Sequence, residues 1–283
     1  MKVSYYPGCS LEATARDYQE SITYVCGQLG IELEEIPDWS CCGATAAHSI
    51  DEFLSHALPG RNLDLAEKIG LDMIVPCPLC FNRLKTAAYW RWKKSKTGRP
   101  FSLNEKIKIW DLLDFLSRPD RLSQIRARVR RPLEGLSVVC YYGCMANRPP
   151  KITEAEEHEN PRNMDILLQA LGASVPDWSY KTDCCGAGHA VARPDIVHTM
   201  AHRLYEKAIQ AGAEAIAVSC QMCQSNLDML QAKISEFFRK RYDLPIFYFT
   251  ELIGVAWKGP EAETWLSRHF VNPIPLLKKK RIF

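Results

Sequence analysis

No stretch of this 283-residue chain approaches roughly 18 consecutive apolar residues, so the sequence predicts no transmembrane helix. The N-terminus lacks both the apolar core of a signal peptide and a twin-arginine pair, and we therefore expect a cytoplasmic protein. The net charge is only +3, too little to hold nucleic acid by neutralising phosphates, so we expect no nucleic-acid partner. No Gly-x-Gly-x-x-Gly segment follows a strand pattern, which argues against a flavin or nicotinamide site.

Cysteine, in contrast, is abundant, with 12 residues in a chain of otherwise ordinary globular composition. Structural disulfides are disfavoured in a reducing compartment, so clustered cysteines there indicate metal binding or redox chemistry. We therefore expect most of these thiols to serve an inorganic centre.

Ten of the cysteines form one pattern that occurs twice: a single cysteine, then Cys-Cys-Gly, then Cys-x-x-Cys. The first cysteine set is Cys9, Cys41, Cys42, Cys77 and Cys80, and the second cysteine set is Cys144, Cys184, Cys185, Cys220 and Cys223. The last four members of each set are separated from their counterparts by the same 143 residues. The word Pro-Asp-Trp-Ser also occurs twice, at residues 37–40 and 176–179. This agreement indicates an internal duplication.

The repeated motifs fall at the ends of predicted strands. Short apolar runs at residues 3–6, 73–75, 138–142 and 215–218 are typical of buried strands, and further helices are predicted over residues 11–29, 110–116 and 161–171. This alternation predicts an α/β fold: two pseudo-symmetric repeated lobes with parallel strands and a cysteine cluster at strand-to-helix turns. We place the first lobe at residues 1–132, with a linker from about residue 91, and the second lobe at residues 133–283.

Each lobe offers more thiols than a small metal ion needs. Four thiolates suffice for tetrahedral zinc or for a cubane iron–sulfur cluster, whereas each set has five. Adjacent side chains in extended chain point to opposite sides, so the Cys41-Cys42 pair favours a larger inorganic core. The remaining Cys26 and Cys140 have no counterpart in the other copy, and we interpret them as buried thiols outside the sites.

The duplicated pattern resembles the cysteine-rich CCG-domain family, and its bare two-domain form resembles the cysteine-rich subunit of heterodisulfide reductases. The resemblance covers about residues 5–224. It implies two non-cubane [4Fe-4S] clusters, one held by the five thiols of each cysteine set. Zinc in one lobe is the lesser alternative. Some relatives carry an added ferredoxin module with Cys-x-x-Cys-x-x-Cys-x-x-x-Cys-Pro, and that motif does not occur in this sequence.

The resemblance also implies an activity and partners. The expected reaction is reduction of a mixed disulfide, that of coenzyme M and coenzyme B in methanogenesis or an analogue, to two thiols between the two clusters. The expected partners are two further subunits of such a reductase: a small ferredoxin-like one, as immediate electron donor, and a flavin-containing one behind it. The alternative is a non-catalytic electron-relay or zinc/iron–sulfur scaffold subunit of a glycolate, lactate or succinate type dehydrogenase complex. His48 and His189, each shortly after a Cys-Cys-Gly, are weak candidates for proton donors.

Overall fold

The computed structural model describes residues 1–44, 47–95 and 107–283, without the side chains of residues 48, 92, 94 and 95. Two parallel sheets form its framework. The first contains β1 (Lys2–Tyr5), β2 (Glu32–Glu35), β3 (Met73–Val75) and β4 (Ile109–Asp111), in the order β2-β1-β3-β4. The second contains β5 (Val138–Tyr141), β6 (Ala215–Val218) and β7 (Ile246–Tyr248), in the order β5-β6-β7.

The two sheets repeat one arrangement. A parallel bridge between Ser137 and Ser174 extends the second sheet beside β5, where β2 lies beside β1 in the first. In each sheet the strand leading into the Cys-x-x-Cys, β3 or β6, pairs with the strand leading into the first cysteine. This confirms the predicted α/β fold with two repeated, parallel-stranded parts.

Helices cover the sheets. Those in the first half of the chain are α1 (Cys9–Glu12), α2 (Arg16–Gln28), α3 (Ala47–Ile50), α4 (Glu52–Ile69), α5 (Pro78–Ser95), α6 (Leu112–Leu116) and α7 (Pro119–Ala127). Those in the second half are α8 (Pro150–Thr153), α9 (Asn163–Ala170), α10 (Pro194–Gln210), α11 (Gln221–Met229), α12 (Gln231–Phe237), α13 (Phe249–Ala256), α14 (Ala262–Leu266) and α15 (Ile274–Lys279). None of the described helices is long and apolar enough to cross a membrane.

Local sequence explains where several helices begin. The Asp51 carboxylate accepts a hydrogen bond from the Leu54 amide at 2.8 Å and caps α4, which ends at Gly70 in the left-handed conformation. Asp111 caps α6 in the same way, and its own backbone belongs to β4. The predicted helix over residues 110–116 is therefore wrong at its start, since Trp110 pairs with Ile74 in the sheet.

One hydrophobic core runs through both halves of the chain. It joins Val3 and Ile22 of the first half to Val138 and Leu252 of the second, and α2 packs directly against α13 and α14. Strand β4 also ties residues 109–111 of the expected linker to the first sheet, while residues 96–106 of that linker lie outside the described part. The boundary at residue 132 stays a prediction.

Candidate metal centres

The first cysteine set gathers at one edge of the first sheet, because parallel strands end there together. Cys9 follows β1, the Cys41-Cys42 pair follows β2, Cys77 follows β3, and Cys80 lies in the first turn of α5. The sulfurs of Cys42 and Cys80 are 3.2 Å apart, and the Cys80 amide donates to the Cys77 sulfur at 3.3 Å. Thiols from three separate segments of the chain thus converge on one site.

The second cysteine set repeats this geometry on the second sheet. The Cys185 and Cys223 sulfurs are 3.6 Å apart, and a thiol hydrogen bond joins Cys144 to Cys184. The glycine after each Cys-Cys pair donates its amide hydrogen to the sulfur of the first cysteine of that pair. The distance is 3.4 Å from Gly43 to Cys41 and 3.3 Å from Gly186 to Cys184. All twelve cysteines are free thiols.

The backbone before each single cysteine leaves room for a bulky centre. Gly8 has φ +75° and Gly143 φ +67°, a region that side chains rarely adopt. A Cβ at Gly8 would lie 3.1 Å from the Cys80 sulfur, and one at Gly143 would lie 3.2 Å from the Cys223 sulfur. The same close approach of glycine to the last thiol, found twice, fits a thiolate-bound metal group that occupies the space between the five sulfurs.

Neighbouring thiols shift one another's proton affinity. Cys41 and Cys80 stabilise the Cys42 thiolate and lower its pKa to about 3. In the second set, Cys144 lowers the pKa of Cys184 to about 6. Thiolate is the form that binds metal, so each set presents a deprotonated ligand at neutral pH.

Paired side chains hold the Cys-Cys loops in place. The Tyr6 hydroxyl donates to the Ser40 carbonyl at 2.8 Å, and the Tyr141 hydroxyl donates to the Asp183 carbonyl at 2.6 Å. Each of these carbonyls belongs to the residue just before a Cys-Cys pair. This role of the two tyrosines is not among the features predicted from the sequence, although a tyrosine lies three residues before the single cysteine in both copies.

Two contacts join the cysteine sets across the sheets. The Tyr18 hydroxyl, on α2, lies 3.0 Å from the carbonyl oxygen of Ser219 and 3.4 Å from that of Pro76. These are the residues directly before Cys220 and Cys77. Asn82, two residues after Cys80, donates to carbonyls of the loop that follows Cys144. The turns that carry the two sets are therefore neighbours in the interior.

Of the two histidines predicted as candidate proton donors, the structure describes the side chain of His189 but not that of His48. His189 is exposed in a short 3₁₀ turn, Ala187–His189, and its charge lowers the pKa of Cys184, although Cys144 has the larger effect. The side chain of His48 lies outside the described residues. A role for either histidine in proton transfer stays a prediction.

The structure places Cys26 and Cys140 in the hydrophobic core, each with no exposed surface. Burial raises the pKa of the Cys26 thiol to about 12, and it also raises the pKa of the Cys140 thiol. We expect Cys26→Ser and Cys140→Ser to retain the full metal content. Each costs about 1 to 3 kcal/mol of stability, because the new hydroxyl is buried among apolar groups. Metal analysis and urea unfolding check this, and loss of metal from either variant would contradict it.

A buried cluster of titratable side chains, not predicted from the sequence, lies where α2 packs against α13 and involves the segment after α14. The His269 Nε2 is 2.9 Å from Glu251 Oε1 and 3.8 Å from Asp17 Oδ2, and all three residues are buried. Despite desolvation, Glu251 and the other carboxylates raise the pKa of His269 to about 9, while burial and Glu251 raise that of Asp17 to about 6. The contact of His269 with Glu251 joins α13 to the segment after α14.

Comparison with known proteins gives the family. The cysteine-rich domain model matches residues 3–85 and 138–228, the two copies of the repeat. The chain belongs to this cysteine-rich CCG family. The two matched segments end within α5 and within α11, so both cysteine sets lie inside them.

Two relatives are similar over nearly their whole length. The 8-methylmenaquinol:fumarate reductase membrane anchor subunit of Wolinella succinogenes is 27% identical over 280 residues, covering 96% of this chain and 98% of its own. One subunit of the ferredoxin/F420H2-dependent CoB-CoM heterodisulfide reductase of Methanosarcina acetivorans is 25% identical over 292 residues, covering 98% and 96%. The resemblance to the cysteine-rich subunit of heterodisulfide reductases is therefore confirmed.

A solved structure shares the fold. The crystal structure of a hypothetical protein from Helicobacter pylori superposes with a TM-score of 0.68 at 11% identity, covering 96% of this chain. This chain spans about half of that protein, 52% of its length. The likeness concerns the fold alone.

Proposed function

We propose that the chain is the catalytic iron–sulfur subunit of a cytoplasmic heterodisulfide reductase-type complex. The observation that supports this best is the pair of five-thiol sets whose Cys-x-x-Cys turns meet at the Tyr18 hydroxyl. The ten thiols would hold two non-cubane [4Fe-4S] clusters, Cys9, Cys41, Cys42, Cys77 and Cys80 the first and Cys144, Cys184, Cys185, Cys220 and Cys223 the second. When bound, each cluster would supply one of the two electrons that reduction of a disulfide requires.

The substrate is a mixed disulfide, that of coenzyme M and coenzyme B or an analogue with anionic groups. Two electrons and two protons convert it to two thiols, and the sulfur–sulfur bond is the bond that breaks. A single donor that passes one electron at a time would release a thiyl radical after the first electron. Delivery of one electron from each of two sides avoids this radical. The duplicated, adjacent cysteine sets fit such a two-sided site better than they fit a simple relay, for which one cubane per lobe would suffice.

A second candidate function is favoured by the similarity to the fumarate reductase subunit of Wolinella succinogenes. In that case the chain would be an electron-relay or scaffold subunit, with zinc or iron–sulfur in its lobes, and would not bind a disulfide. Metal analysis separates the two candidates. The catalytic subunit contains about eight iron atoms per chain, whereas a mixed scaffold contains about four together with zinc.

The proposed function requires partners, because no nucleotide-binding motif offers an entry for electrons. Purification of the chain from its native host is expected to recover a complex with a small ferredoxin-like protein and a flavin-containing protein. The isolated chain should reduce the disulfide with a reduced viologen dye but not with a nicotinamide. Full turnover of the lone chain from a nicotinamide donor would contradict this, and absence of viologen-driven disulfide reduction would favour the relay.

A further inference from the structure

A run of four basic residues, at positions 278–281, is held in a fixed place by the fold. Its first two residues end α15, and the apolar side chains on either side of the run, Leu277 and Ile282, are buried. The Arg131 Nη1 donates to the Ile282 carbonyl at 3.1 Å. The run is therefore part of the folded surface, and its charges keep their positions.

Folding brings a second basic run next to the first. It covers residues 126–131, at the end of α7 and directly after it. The hydrogen bond from Arg131 to Ile282 joins the two runs, and a Cβ at Gly135 would lie 3.9 Å from the Lys280 side chain. Together they form what we call the basic surface: Arg126, Arg128, Arg130, Arg131, Lys278, Lys279, Lys280 and Arg281.

The basic surface has little compensation from the chain itself. Lys280 Nζ lies 2.6 Å from Glu214 Oε2, whereas the other cations of the surface form no ion pair within the part of the chain that the structure describes. Glu134 lies nearby in sequence, but it is exposed and pairs with none of them. Like charges held close together repel one another, and an anionic partner would turn that repulsion into attraction.

An apolar groove borders the basic surface. A cavity of about 720 Å³ opens between α7 and α9, and its wall includes Leu122, Val129 and Ile166. The Ile166 residue is 48% exposed although it is apolar. Arg126, a member of the basic surface, belongs to the same wall. Such a groove with cations along its side is complementary to a segment that carries both apolar and acidic side chains.

The basic surface lies at the end of the second sheet that is opposite to the second cysteine set. Lys280 contacts Glu214 and lies beside Gly135, and these two residues precede β6 and β5. Cys144 and Cys220 instead follow the carboxyl ends of the same strands. A strand of four residues spans about 13 Å. A protein bound to the basic surface can therefore leave the second cysteine set uncovered.

We propose that the basic surface and its groove hold one partner protein of the complex, through a segment of that partner with acidic and apolar side chains. An anionic membrane would need only exposed cations, whereas a concave apolar site takes up side chains, so the groove favours a protein. The contact serves assembly and not the reaction, because it lies away from the second cysteine set. This inference rests on the partners of the proposed function and not on the identity of the substrate.

Zero-length crosslinking of the native complex tests the contact directly. A carbodiimide joins lysine amines to carboxylates that already touch them. Mass spectrometry is expected to find Lys278 and Lys279 joined to acidic residues of a partner protein. Crosslinks that join the partner only to other surfaces of this chain would overturn the inference.

Charge reversal gives the energetic test. The triple variant Lys278→Glu, Lys279→Glu and Arg281→Glu should rebind the partner proteins, recovered by dissociating the native complex in high salt, about tenfold more weakly or worse at low ionic strength. Ile166→Glu should weaken rebinding too, because it places an anion in the groove. The matched control reverses exposed cations elsewhere, with Lys233→Glu, Arg239→Glu and Arg241→Glu, and should leave rebinding unchanged. The metal content and viologen-driven turnover of the isolated variants should equal those of the unaltered chain.

The outcomes separate the inference from the proposed function. Rebinding that the triple variant leaves unchanged, or that the control weakens equally, would overturn the inference. So would a basic surface that binds vesicles of phosphatidylglycerol and phosphatidylcholine while the partner binds elsewhere. A chain that holds its partner through this surface but reduces no disulfide would overturn only the catalytic function. A chain recovered from its host without any partner would overturn both the inference and the proposed partners.

Discussion

Replacing Cys41 by alanine is expected to remove the metal centre of the first lobe and to leave that of the second intact. Iron and acid-labile sulfide should fall by about half, from about eight to about four iron atoms per chain. Cys184→Ala should give the mirror-image result. The reason is geometric: Cys41 and Cys184 belong to different sets, so each change removes one of the five thiols of one lobe and leaves the set of the other lobe complete.

The controls for this experiment are already in the chain. Cys26→Ala and Cys140→Ala remove a thiol from the same two lobes, but from the hydrophobic core, and should keep the full metal content. Circular dichroism shows whether each variant is folded. Unchanged iron and sulfide in both folded set variants, Cys41→Ala and Cys184→Ala, would overturn the assignment of the ligands.

Disabling either lobe is expected to abolish disulfide reduction. Cys42→Ala and Cys185→Ala each leave one complete cysteine set, so one sulfur of the substrate would have no reductant within reach. The rate should fall on the order of a hundredfold or more, because correct placement of both reacting sulfurs is lost. The assay follows thiol release with a reduced viologen as electron donor.

The two variants are informative as a pair. If one lobe were only a relay, its variant would retain disulfide reduction when electrons come directly from the dye, while the other variant would not. Trapping the substrate in crystals or frozen complexes gives the structural counterpart, with one sulfur expected at each lobe. Full activity of Cys185→Ala would show that the two-sided mechanism is wrong.

The sequence determined the repeat and much of the framework. Strands β3 and β6 are found over the predicted residues because both are short, continuous apolar runs that are buried on both faces. Strand β2 was not predicted, since Glu32–Glu35 is an acidic segment at the edge of the sheet with only half-buried or exposed side chains. Trp110 was assigned to a helix because three residues of strand carry too little periodicity to be recognised.

What only the tertiary structure decided is the relation between the two repeats. The equal spacing of ten cysteines predicts two sets, because duplication preserves spacing, but it does not say that Tyr18 lies between Pro76 and Ser219. That contact, like the buried pair of Glu251 and His269, joins residues far apart in sequence or in different elements, and no local pattern encodes such partners.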